Sequence, residues 1–212
     1  RGTGPTPANI FYTDLAARAI AFFPDVLHHF EGQWAGQPFV LAPWQQFIVG
    51  SLFGWTRADG SRRFRFAYLE IGKGNGKTPM AAGLGIYRLV ADGAPSAEIY
   101  AAAVTRDQAG ILFRDADRMV AASPALRRRI QQSVHNLAHA ASGSFLRPVS
   151  SEARSLDGKR PHAALADIKQ PVERCYLVRG NVFLGHIQID QLVPELVGQR
   201  IGQQSRQAMK RL

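Results

Sequence analysis

Apolar residues recur at helical spacing from Thr13 onward, with Leu15, Ala19, Phe22 and Phe23 on one face. The pattern predicts an amphipathic helix that Pro24 ends or kinks. The first eight residues, Arg1 to Ala8, hold two Pro and two Gly and read as a loose lead-in. Residues 31–43 read as loop with a short extended piece, and a second helix fits Trp44 to Phe53, just after Pro43. Asp59-Gly60 is a turn signal. Residues 64–71, Phe-Arg-Phe-Ala-Tyr-Leu-Glu-Ile, form a strand-like run that leads into Gly72-Lys73-Gly74-Asn75-Gly76-Lys77-Thr78. A helix follows to about Ala91 and closes at Asp92-Gly93. Glu98 to Ala103 is a second strand, and Thr105 to Ala122 a further helix with Thr105 as its N-cap. Arg127, Arg128 and Arg129 fall on a short helix. Residues 133–138 and 144–149 are extended, and His162 to Asp167 is a short apolar strand ending in an acid. Beyond Ile168 the pattern weakens: residues 182–189 suit a strand, and 194–212 fit a helix only loosely. Strands alternating with helices predict an α/β layered domain with a mainly parallel sheet.

Composition narrows this picture. The chain has 212 residues, 46% apolar and 20% charged, a globular balance. No run approaches the length of a membrane-spanning helix. The single cysteine, Cys175, cannot close an internal disulfide, which excludes a disulfide-stapled secreted scaffold. No basic-then-apolar signal segment opens the chain, and Arg1 stands where a Met is expected, so a fragment or processed form is anticipated. A soluble, reducing, cytoplasmic compartment is the default expectation. The formal charge is +10, and arginine dominates, with 21 Arg against 5 Lys. Guanidinium forks match phosphate geometry, so a nucleic-acid or nucleotide partner is anticipated.

The loop at residues 72–78 carries the most chemistry. A phosphate cradle needs small residues so that backbone N–H groups can face phosphate oxygens. It needs a lysine for the β and γ phosphates, and a hydroxyl for Mg²⁺. It must lie between a strand and a helix, whose N-terminus adds partial positive charge. All of these are present, with Lys77 and Thr78 in the two reactive positions and Pro79 tolerated in the first helical turn. The spacing departs from the general phosphate-loop consensus. Counting back from Gly76, the first glycine belongs at position 71, which is Ile71, and Gly72 comes one place late.

Several further segments occur in a fixed order: Phe39-Val40-Leu41-Ala42-Pro43-Trp44-Gln45, Phe53-Gly54-Trp55, residues 59–65 (Asp-Gly-Ser-Arg-Arg-Phe-Arg), Thr105-Arg106-Asp107-Gln108-Ala109 and residues 156–161 (Leu-Asp-Gly-Lys-Arg-Pro). Together with the loop, residues 11–167 resemble the N-terminal ATPase domain of the large terminase subunit of tailed bacteriophages. The resemblance implies a phosphate-loop NTPase fold, a three-layer sandwich around a mainly parallel sheet. It divides the chain into a lead-in and helix (1–36), an ATPase core (37–168) and a divergent tail (169–212). It implies that ATP is held by Gly72, Lys73, Gly74, Asn75, Gly76, Lys77 and Thr78, with Gln45 on the adenine. Family loops usually carry Arg where Lys73 stands. Lys73 keeps the charge beside the γ-phosphate but not the bidentate fork. Thr78 and, through water, Asp167 are implied as the Mg²⁺ side. The implied partners are double-stranded DNA, the portal protein and the small terminase subunit, with a homo-oligomeric ring at the procapsid portal and no membrane.

One position departs from the family. After the apolar strand ending in Asp167, the resemblance implies a Glu that activates the attacking water. This chain has Ile168, and the nearest carboxylate beyond it is Glu173. Two readings follow: an ATPase that powers DNA packaging, and a truncated relic that at most binds nucleotide. The remaining candidates are bland. His28, His29, His135, His139 and His162 lack metal-ligand spacing, and Ser142-Gly143-Ser144 reads as a turn. Trp44 reads as a core anchor. Arg62, Arg63 and Arg65 read as a solvated face, with a place beside the nucleotide or a neighbouring subunit as the other reading, and Arg127 to Arg129 as an exposed helix, with contact to DNA phosphates as the other.

Overall fold

The computed structural model describes residues 9–69, 71, 72, 74–103, 106–150, 161–167 and 181–185. They form β1 (Ile10–Phe11), α1 (Thr13–Val26), α2 (Pro43–Gly54), β2 (Trp55–Thr56), β3 (Phe66–Leu69), α3 (Lys77–Val90), β4 (Glu98–Ala103), α4 (Arg106–Ala122) and α5 (Pro124–Arg127). The order continues with β5 (Ile130–Ser133), β6 (Asn136–His139), β7 (Ser144–Ser150), β8 (Ala163–Asp167) and β9 (Asn181–Gly185).

Seven strands make one sheet in the order β3-β9-β8-β4-β7-β6-β5. The five strands from β3 to β7 in that order are parallel, and the β5–β6–β7 meander is antiparallel. The α/β class and the mainly parallel sheet follow the expectation. Helix α3 lies against the sheet so closely that a Cβ on Gly85 would stand 2.7 Å from Leu165 and 2.8 Å from Leu146. Its other side receives α1: a Cβ on Gly83 would meet the Phe23 ring at 2.6 Å and Leu27 at 2.8 Å. Two glycines two places apart thus let one helix fit between the sheet and a second helix. The expectation of a third layer falls outside the described residues.

The apolar stripe of α1 is Ala16, Ala19, Phe22 and Phe23, all buried. It meets α3 through Phe22 on Tyr87 at 5.2 Å and the segment before α2 through Phe23 on Phe39 at 5.5 Å, while α2 meets α3 through Phe53 on Tyr87 at 4.7 Å. Each such pair adds about 0.5–1.5 kcal/mol beyond the area it buries. Because the Phe23 ring is fully enclosed, Gly83→Val forces it to move. The expected cost is about 1–3 kcal/mol, read as a fall of roughly 2–12 °C in thermal unfolding. An unchanged midpoint would show that the α1–α3 contact is looser than described.

Several expectations are corrected. Helix α1 runs past Pro24 to Val26, because in the last turn a proline removes only one hydrogen bond. The first sheet strand is Phe66–Leu69, shorter than residues 64–71. In place of one extended piece at 133–138 there are two strands, joined by a two-residue turn at Val134-His135 in which His135 adopts φ 56°. Asp59-Gly60 does turn: Ser61 N–H donates to Asp59 Oδ1, and Gly60 has φ 77°. The stretch read as 182–189 contributes β9, which lies between β3 and β8. Thr105, Cys175 and residues 194–212 lie outside the described residues. No described helix is long and apolar enough to cross a membrane.

Candidate nucleotide site

Strand β3 ends at Leu69 and α3 starts at Lys77, so the glycine-rich loop joins a strand's C-terminal edge to a helix N-terminus. Gly74 (φ 82°) and Gly76 (φ 70°, ψ 19°) both take left-handed conformations, which glycine adopts without the strain a Cβ would bring. Gly76 is the N-cap of α3, and its carbonyl receives the Met80 N–H at 3.1 Å. Asn75 Nδ2 donates to Gly72 O at 3.3 Å across the turn. Lys77 Nζ donates to Ile71 O at 2.9 Å, so its ammonium spans the loop onto the loop's own backbone. A triphosphate offers that ammonium a charged acceptor in place of a neutral carbonyl, adding the attraction of opposite charges to the hydrogen bond. Thr78 follows in the first helical turn, half-buried. Lys73 lies outside the described residues.

Gln45 reaches this loop from α2. It is 5% exposed. Its Oε1 accepts the Ala42 N–H at 2.9 Å, capping the helix start, and its Nε2 lies 3.5 Å from Gly76 O. A Cβ on Gly76 would approach Nε2 at 3.4 Å. Gln45 therefore ties the α2 N-terminus to the C-terminal glycine of the loop. One amide hydrogen remains for a base edge. Trp44 packs partly buried against the core beside it, as expected.

Asp167 ends β8. Its backbone pairs with Gly185 of β9, and Gly185 pairs with Leu69 of β3. Leu69, Gly185 and Asp167 are therefore level at the carboxyl edge of the parallel sheet. With strands about 4.8 Å apart, Asp167 stands roughly 10 Å across from the strand that feeds the loop. Ligands of open α/β sheets bind at this edge. The described residues contain no group of three or more His, Cys, Asp or Glu placed to hold a metal. A hydroxyl and one carboxylate still suit Mg²⁺, which keeps waters and takes much of its coordination from phosphates. The residues present fit a Mg²⁺–nucleotide better than a protein-caged ion.

A second polar cluster sits at the opposite, amino edge of the sheet, and nothing in the sequence pointed to it. Asp92 is nearly buried and collects Arg62, Arg88 at 3.0 Å and His162, whose Nε2–H donates to Oδ2 at 2.8 Å. Both guanidinium groups lie over the Phe53 ring, Arg62 at 4.6 Å and Arg88 at 5.1 Å from its centre. Burial alone would raise the Asp92 carboxyl. The His162 hydrogen bond and the Arg88 and Arg62 charges outweigh it and hold the group well below the usual carboxylate range. Burial, with Arg62 alongside, pushes the Arg88 guanidinium down to about 10 against the pull of Asp92. Arg62, read above as part of a solvated face, is instead drawn inward by this carboxylate.

Comparison with known proteins identifies the family and the fold. The sequence model for the terminase large subunit, ATPase domain, matches residues 43–171. The "Terminase, large subunit" of Enterobacteria phage HK97 is 29% identical over 153 residues, 71% of this chain and 29% of that protein. The chain thus spans under a third of the curated relative it matches. The crystal structure of the HK97 bacteriophage large terminase superposes with a TM-score of 0.64 at 23% identity, over 80% of this chain and 37% of that one, which establishes a shared fold. With a family match over more than half its length, this chain belongs to the terminase large subunit ATPase domain family.

Proposed function

We propose that this chain binds Mg²⁺–ATP in the loop at residues 72–78 and hydrolyses it, as the motor domain that drives double-stranded DNA into a phage capsid. The observation that carries this reading is Lys77, whose ammonium lies across a loop with two left-handed glycines at a strand–helix junction. Gly72, Gly74, Asn75 and Gly76 supply backbone N–H groups to the phosphates, and Lys77 bridges the β and γ oxygens. Lys73 adds charge beside the γ-phosphate. Mg²⁺, when bound, neutralises charge building on the transferred phosphoryl group. Thr78 would hold it directly and Asp167 through water. Gln45 positions the loop through Gly76 and offers its free amide hydrogen to the base.

The charge that converts water into a nucleophile has to come from a carboxylate other than position 168, which is Ile168. The proposed setting is the bacterial cytoplasm, with subunits in a ring at the procapsid portal and the portal protein and small terminase subunit as partners. The test is phosphate release by the purified chain with Mg²⁺–ATP, with and without duplex DNA. The expected result is turnover that requires magnesium, rises with DNA, and favours ATP over GTP in a way that Gln45→Ala removes. Saturable binding without phosphate release would reduce the proposal to nucleotide binding.

A further inference from the structure

Between Asp117 and Glu152 the chain carries no acidic residue, yet it holds Arg118, Arg127, Arg128, Arg129 and Arg147. This stretch builds the end of α4, then α5 and the β5–β6–β7 meander, at the sheet edge farthest from the strand that feeds the nucleotide loop. Arg127, Arg128 and Arg129 are consecutive and all exposed, while Leu126 and Ile130 on either side turn into the core. Among the described ion pairs none involves these three, whereas Arg62 and Arg88 share Asp92 and Arg118 meets Glu31.

The neighbouring surface is polar and donor-rich. The strand register puts Gln131, Ser133, Asn136, Phe145 and Arg147 on one face of the meander. Arg147 is exposed, held over Phe145 at 4.2 Å and bonded to Asn136 Oδ1 at 2.8 Å. Three like charges on adjacent residues with no carboxylate between them repel one another and gain most from a polyanion. The large apolar side chains exposed elsewhere include Phe11, Tyr12, Trp34, Phe47 and Phe66, but here only Val134. A single strand is held by stacking its bases on exposed aromatics, and α5 and β5, which flank the arginine run, contain no aromatic residue.

We propose that the α5–β5 corner, through Arg127, Arg128 and Arg129, grips the phosphate backbone of a nucleic-acid duplex. The grip reads charge and spacing, not bases, as a chain that moves along DNA requires. This inference locates the DNA contact that the proposed function needs, at the edge of the sheet away from the nucleotide.

The test is fluorescence anisotropy of a labelled 30-bp duplex of mixed sequence, titrated with the whole chain between 50 and 200 mM salt. Each phosphate contact steepens the slope of log affinity against log salt by about 0.9. The triple variant Arg127→Gln, Arg128→Gln, Arg129→Gln is expected to flatten that slope by about 2–3, so wild type loses ~15- to 60-fold more affinity over this range than the variant does. Its thermal midpoint and its binding of labelled ATP should stay unchanged. A control triple, Arg18→Gln, Arg57→Gln, Arg114→Gln, removes the same charge from other exposed positions and should leave the slope near wild type. An equal effect of the two triples, no effect of the first, tighter binding of a single-stranded 30-mer, or no duplex binding at 50 mM salt would each overturn the proposal. Because ATP binding is read separately, failure of the duplex contact and failure of the nucleotide reading give different results.

Discussion

Replacing Lys77 by alanine is expected to raise the dissociation constant for Mg²⁺–ATP by more than about 100-fold. The ammonium is the one described cation that lies across the glycine loop, and a hydrogen bond to a charged group contributes roughly 1.5–3 kcal/mol. Loss of contacts to two phosphates at once therefore exceeds two decades of affinity. The nucleotide-free protein should change little, since the bond removed there ends on a neutral carbonyl, worth about 1 kcal/mol. The two effects separate in one measurement. Saturating nucleotide raises the unfolding midpoint of wild type through binding to the folded state, and in Lys77→Ala the midpoint should not move. An equal nucleotide-induced shift in both proteins would remove the loop from the binding site.

The second large effect lies at the other edge of the sheet. Asp92→Asn keeps the shape of the side chain but deletes the anion shared by Arg62, Arg88 and His162. Arg88 is then left buried without its counter-ion, a situation that costs about 3–5 kcal/mol and lowers the unfolding midpoint by roughly 6–20 °C. The pH dependence has a definite sign. Asp92 is held below the usual carboxylate range in the folded protein, so the unfolded chain takes up the proton first on acidification. Its stabilisation is complete above about pH 4 and is lost as pH falls toward the folded value. Denaturant unfolding of wild type and Asp92→Asn at several pH values should show the gap between them narrowing below about pH 4. A gap that holds constant in that window would mean that the Asp92 carboxyl is not held down.

The elements that could be read from the chain are those encoded locally. Strand β4 spans the residues anticipated for it, Glu98–Ala103, and α4 ends as anticipated at Ala122. In both, hydrophobic periodicity and flanking turns lie within one segment. The glycine loop was legible for the same reason: seven consecutive residues carry its chemistry. The Asp92 cluster was not, since its members run from Arg62 to His162, 100 residues apart along the chain, and only the sheet brings them together. The β5–β6 turn was hidden differently. Val134-His135 has none of the Gly or Asn that mark a tight turn, and the left-handed position is taken by His135, one of the few non-glycine types that tolerate it. The second role of Gln45 was concealed because its partner, Gly76 O, is a backbone atom that sequence chemistry does not display.

The position of β9 bears on the order of assembly during translation. Among the described strands, β3 is hydrogen-bonded to β9 alone. Residues 66–69 leave the ribosome more than a hundred positions ahead of residues 181–185, so the segment that launches the glycine loop waits unmatched while most of the polypeptide is made. Its mooring is one of the most non-local contacts in the chain, of the kind that slows folding most. A nascent chain stopped short of β9 would have built the hydrophobic centre without yet anchoring the loop, so the mooring of the glycine loop is a late event in synthesis.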